Sequence, residues 1–270
     1  MPIDEAVQFQ SMGCVPAPGE TAADFQARWA TAEAAIRALP PVHDLNAAPQ
    51  ALTPTAQAVA NQLSQDDHFK LSFGTVPPTF GSVLLEKIVT AQKYIDAEHI
   101  GTLQVPDAAD EAEVLRFCMR ANPIDPPLLG ADGGITFSSH YSQNLIPVQP
   151  SFTPVNDNEI LITARIISRP NYVTVAIWNQ RYIISNGYHR AAALLKAGHT
   201  RLPCILRPAP TLEATGLNPP AFFDASRINA ARPPMLQDFV AANLATRLKL
   251  RARNHVLRVG LQVQQFEAPR

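Results

Sequence analysis

The run from Arg181 to Gly198 constrains the chain more than any other. Arg181, Tyr182, Ile183, Ile184 and Ser185 have the β-branched and aromatic character of a strand, and Asn186-Gly187 is a turn signal. From Tyr188 the apolar residues Ala191, Ala192, Leu194 and Leu195 take helical spacing until Gly198 stops them. The predicted order is therefore strand, tight turn, amphipathic helix. His189 and Arg190 fall where that helix begins. A helix N-terminus exposes unpaired N–H groups and a partial positive charge, so cations there are disfavoured unless an anion joins them. An anion held at Asn186, Gly187, Tyr188, His189 and Arg190 would remove that conflict, with Asn186 as the expected N-cap whether or not a ligand is present.

The strand of this run has a partner before it. Tyr172 to Trp178 alternates, Asn179-Gln180 can turn, and Arg181 resumes the extended pattern, which predicts a hairpin. After Gly198, Leu202 to Leu206 predicts a short buried strand. Upstream, Thr21 with Asp24 predicts a capped helix carrying Phe25, Trp29 and Ile36 on one face, and Thr53-Pro54 starts a second with Val59 and Leu63. Lys70 to Thr75 alternates as an extended piece, and Val83 to Ile95 has helical spacing. Asp107 leads into a helix through Leu115 and Met119, acidic at its start and carrying Arg116 and Arg120 toward its end, as the helix dipole favours. Ile135 to Phe137 and Glu159 to Ser168 predict strands, Met235 to Leu248 a helix, and His255 to Phe266 a half-buried strand.

The order hairpin, Gly187-Tyr188-His189-Arg190, helix with Ala191-Ala192 and Leu194, Gly198, then Leu202-Pro203-Cys204-Ile205-Leu206 resembles the ParB/sulfiredoxin-like superfamily over about residues 172 to 207. The resemblance implies an α+β protein with a ParB/sulfiredoxin-like mixed sheet and packed helices. It divides the chain into a helical N-terminal extension (1–68), a core (69–210) and a C-terminal helix-strand cap (211–270), with residues 131 to about 170 inserted relative to simpler members. It implies that the helix-opening His189 and Arg190 contact the phosphates of a nucleotide, ATP or CTP, with Mg2+ sharing their charge. The implied activity is phosphohydrolase or phosphotransferase chemistry, with a non-enzymatic nucleotide switch or DNA-associated protein as the alternative. Sulfiredoxins place a reactive cysteine before the histidine. Tyr188 stands there, so sulfinic acid reduction is not expected.

Composition restricts partners further. With 22 basic and 23 acidic residues the formal net charge is -1, so no global field attracts nucleic acid, and DNA is the less favoured partner. The basic run Arg247, Lys249, Arg251, Arg253, His255 and Arg258 suits a solvated face. The three cysteines, Cys14, Cys118 and Cys204, are widely spaced, which argues against a disulfide framework or a cysteine metal site and favours a reducing, cytoplasmic setting. No signal-like start or membrane-length apolar run is expected, hence no membrane partner. Glu86 and Glu98 are the carboxylates to consider for base or metal duty. Ser138-Ser139-His140 is adjacency without triad geometry, and Gly130 to Gly134 is a turn before a strand.

Overall fold

The computed structural model describes residues 21–45, 48–74, 78–121, 124–131, 133–138, 145–168, 170–217, 222–246 and 256–260. Elements are numbered in chain order. The chain divides into two compact units, Met1–Arg120 with Tyr172–Ala252, and Ala121–Asn171 with Arg253–Arg270.

The first unit is α+β, as its sequence predicts. Its helices are α1 (Ala22–Arg37), α2 (Pro54–Leu63), α3 (Asp67–Phe73), α4 (Ala97–Thr102), α5 (Glu111–Met119), α6 (Tyr188–Lys196) and α7 (Ala225–Ile228). Its strands are β1 (Thr79–Leu84), β2 (Ile88–Thr90), β7 (Thr174–Trp178), β8 (Arg181–Asn186) and β9 (Arg201–Pro208), in the spatial order β1-β9-β7-β8-β2. The sheet is mixed: β1 is antiparallel to β9 and β7 to β8, while β9–β7 and β8–β2 run parallel. Alternation puts Tyr182 and Ile184 of β8 into the main core with Ile88, Leu115 and Leu194, and Ile183 into a second core with Val89, Ile228 and Met235. Both faces of β8 are covered, which is why Tyr182, Ile183 and Ile184 are apolar in succession without alternating.

The hairpin turn falls on Asn179 and Gln180, at φ 48 and 59, the double left-handed conformation that matches strand twist. Helix α1 has the expected Thr21–Asp24 capping box, and α2 the Thr53 cap. Three local expectations fail. Lys70 to Phe73 belongs to α3, because Asp66 caps a helix and turns Phe69 into the core beside Phe73, Phe80 and Tyr172. Val83 to Ile95 comprises the end of β1, a single 3-10 turn (Leu85–Lys87), β2 and a non-helical stretch over 91–95, with the helical spacing overridden by sheet pairing on both strands. Within Met235–Leu248 the described helical piece is a 3-10 turn, Leu236–Phe239, and residues 247–248 lie outside the described residues.

The domain boundaries also move. The expected extension 1–68 is not a separate layer: Ala56, Val59 and Ala60 of α2 enter the main core, and Glu111 Oε2 of α5 accepts from Thr53 N at 2.7 Å. The expected core 69–210 is interrupted between Arg120 and Tyr172, and the expected cap 211–270 is split between the two units.

The second unit contains β3 (Leu128–Leu129), β4 (Ile135–Ser138), β5 (Leu145–Asn156), β6 (Glu159–Ser168) and β10 (Val256–Val259). These form a three-stranded sheet β10-β4-β3 and a two-stranded hairpin β5–β6. Gly130 N donates to Gly134 O, confirming a turn before β4, and Ser138 Oγ donates to Asp125 Oδ2 at 2.8 Å. The predicted strand 255–266 is described only as Val256–Val259, and His140 and most of the basic run lie outside the described residues.

Candidate functional site

Helix α6 starts on Gly187, at φ +86, a conformation that side chains resist. A Cβ at Gly187 would also stand 2.5 Å from Val173 Cγ2. The glycine is therefore fixed by backbone conformation and by Val173, the residue just before β7, packed against it. Asn186 is the last residue of β8, and its Oδ1 accepts from Gly187 N at 2.9 Å. That bond precedes the helix, so Asn186 is not the N-cap that its residue type suggests. Six of these seven helices have a capping side chain, from Thr21, Thr53, Asp66, Asp96, Asp110 and Asp224. Helix α6 has none. Its first-turn N–H groups are left for another acceptor.

Arg190 does not project from this turn into solvent. It is 6% exposed, and its Nη1 donates to the carbonyls of Phe117 (3.2 Å), Cys118 (2.8 Å) and Arg120 (3.2 Å). These are the last carbonyls of α5, where a cation offsets the negative end of the dipole. The awkward placement at the start of α6 is thus resolved by the end of α5. Sequence spacing could not show this, because the two helices are about 70 residues apart. Burial brings the guanidinium down to about 10, opposed by the nearby Cys118 and reinforced by Arg120. Arg190 remains a cation at neutral pH, with carbonyls and no carboxylate among its hydrogen-bond partners. Its Nη2 has no hydrogen-bond partner among the described residues, and neither does the buried hydroxyl of Tyr188.

His189 is half-buried. Its Nε2 accepts from Asp96 N at 3.0 Å, so the neutral ring carries its proton on Nδ1. Burial first, then His99 and Arg190, lower its pKa to about 4, with Asp96 opposing. The His99 ring meets it edge-on, with centroids 5.0 Å apart. His189 is therefore neutral at neutral pH and can offer an N–H without a charge. Asp96 and His99 are additions that sequence reasoning missed. The only signal for Asp96 was its cap position before Glu98 and His99, whose N–H groups Asp96 Oδ1 accepts.

The motif thus brings together an uncapped helix start, a neutral imidazole and a buried cation. Its orphaned donors, Arg190 Nη2 and Tyr188 Oη, have the chemistry to meet oxygen acceptors such as those of a phosphate. Among the described residues no group of three or more His, Cys, Asp or Glu could hold a metal. Glu86 and Glu98 are exposed, and Arg116 is paired with Glu113 at 2.5 Å on the surface of α5. Arg120 lies over the Phe117 ring, 4.8 Å from its centroid. No helix among the described residues is long and apolar enough to cross a membrane.

Two more arginines of the same unit are also held by backbone carbonyls. Arg181 donates to Ile228 O, Asn229 O and Ala230 O, at the end of α7. Arg201 donates to Ser82 O at 2.8 Å and Ser82 Oγ at 3.3 Å, on β1. Comparison with family models, with curated proteins and with solved structures gave no match to the chain.

Proposed function

We propose that the first unit is a divergent ParB/sulfiredoxin-like core that binds the phosphates of a nucleotide at the first turn of α6. One observation carries this reading: a buried arginine with no carboxylate partner stands in the first turn of α6, the one α-helix among those described without a capping side chain. An anion there would satisfy helix N–H groups and offset a cation now balanced only by carbonyl dipoles. Gly187, His189 and Arg190 would hold the phosphates, with Asn186 fixing the turn and Tyr188 lending its hydroxyl. ATP or CTP with Mg2+ is the ligand class, and phosphoryl transfer or hydrolysis is the reaction that such a ligand would feed.

A specific feature favours the non-catalytic alternative, a nucleotide switch. Arg190 ties the start of α6 to the end of α5, so a ligand that draws the guanidinium away loosens α5 directly. Thermal-shift measurements with ATP, CTP, GTP and ADP, each with magnesium, test the binding. A rise in melting temperature with at least one is expected, and none with any would overturn the proposal. The variant to use is His189→Gln, which removes the Nδ1–H donor and leaves Arg190 on its carbonyls. It should weaken the shift about tenfold in ligand concentration, as loss of one hydrogen bond implies. Phosphate release with time then separates an enzyme from a switch.

A further inference from the structure

Hairpin β5–β6 presents an unusual surface. Its register places Leu145 opposite Ser168, Pro147 opposite Ile166, Phe152 opposite Ile162 and Pro154 opposite Ile160, so these residues and Ala164 share one face. The paired residues of that face are apolar apart from Ser168, and Phe152, Ile160 and Ile162 are 64%, 63% and 47% exposed. A two-stranded hairpin is marginal in water by itself and needs a further strand or a packed layer. Among the described residues β6 pairs only with β5.

The two edges are not equivalent. Pro147, Pro150 and Pro154 interrupt the β5 edge, and proline cannot donate to a ladder. Strand β6 has ten residues and no proline. Its outward N–H and C=O groups form a template for one more strand. The strands of the hairpin carry two charges, Glu159 and Arg165, both on β6 and both on the face opposite Ile162.

We propose that β6 pairs antiparallel with β6 of a second copy, about a two-fold axis through Ile162. In this register Glu159 stands opposite the second copy's Arg165, and the symmetry repeats the pair. Ile160 meets Ala164, Leu161 meets Thr163, and Ile162 meets itself. Shifting the axis to Thr163 places Arg165 opposite Leu161 and leaves Glu159 opposite Ile167, so charge complementarity selects Ile162. The result is a four-stranded sheet whose exposed outer edges are the proline-interrupted β5 strands, where growth stops.

Sedimentation of the full chain at micromolar concentration should give a dimer. Glu159→Arg puts arginine opposite Arg165 twice and should weaken the dimer tenfold or more, and Arg165→Glu should do the same. The double variant Glu159→Arg with Arg165→Glu restores every pair and should restore the dimer. This rescue separates register from misfolding. In a Cys14→Ser background, Ile162→Cys should give an intermolecular disulfide on mild oxidation, because directly opposed residues have Cα atoms about 4.5–5.5 Å apart, within disulfide reach. The remaining cysteines, Cys118 and Cys204, are buried. A monomer, a dimer indifferent to both single reversals, a double variant that stays dissociated, or an Ile162→Cys variant that forms no crosslink would each overturn the proposal.

Discussion

The β7–β8 and β5–β6 hairpins are built from similar material and end in opposite circumstances. Both are antiparallel, rich in β-branched residues, and joined by two residues between their strands. In β7–β8, Val175, Ile183 and Ile184 are 0% exposed, because β9 and β2 flank the hairpin and helices cover it. In β5–β6, Ile160 and Ile162 stand in water. The pattern of apolar residues creates a strand, and only its neighbours decide whether that strand is core. Function follows the same division. The buried hairpin can place a helix start to within a hydrogen bond, while the exposed one offers an edge.

The largest test of this contrast is truncation within the buried hairpin. Ile184→Ala should cost about 2–5 kcal/mol in urea unfolding, as buried Ile-to-Ala changes do when a packed site cannot collapse. Trp178, on β7, makes fluorescence a reporter of this unit. A loss below about 1 kcal/mol would mean that the sheet is looser than its burial indicates.

Next in size is Gly187→Ala. The left-handed backbone and the Val173 contact together should cost about 2–4 kcal/mol, combining strained φ with overpacking. Arg190→Lys follows, at about 1–3 kcal/mol, since a more strongly hydrated ammonium costs more to bury where Nη1 of the guanidinium now donates to three carbonyls. If Arg190→Lys is neutral, the guanidinium does not hold α5, and the buried hairpin positions less than its hydrogen bonds imply.

His189 gives a pH test. Its folded pKa, about 4, lies below its unfolded value near 6.5, so the folded state favours the neutral ring. The stability this contributes is fully present above pH 6.5 and is lost as pH falls toward 4. The urea midpoint should decline over that window, and the decline should be shallower in His189→Gln.

Much of the buried hairpin was legible because its signals are local. Asn179-Gln180, Asn186-Gly187 and Gly198 punctuate elements wherever they occur, and β8, α6 and β9 follow from spacing. What the sequence could not convey was tertiary. The site residues were named as a cluster, yet the partner of Arg190 is the end of α5, and the partner of His189 is a backbone N–H at Asp96. The helical spacing of Val83 to Ile95 misled for the same reason, since pairing of β1 with β9 and β2 with β8 overrides it. Three arginines, Arg181, Arg190 and Arg201, clasp carbonyls, and no sequence rule distinguishes a carbonyl-clasping arginine from a phosphate-binding one.

The smallest expected effect closes the contrast from the other side. Ile162→Ala, at a concentration low enough to keep the chain monomeric, should change stability by no more than about 1 kcal/mol, because nearly half of the residue, 47%, stays exposed after folding. Amide hydrogen exchange localised to Glu159–Ser168 is the measurement to use, as the tryptophans, Trp29 and Trp178, lie in the other unit. The same exchange repeated at high concentration should slow in β6 for the native chain and much less for Ile162→Ala. Protection that ignores concentration would show that β6 has a cover within its own chain, and the difference between the hairpins would then be one of degree.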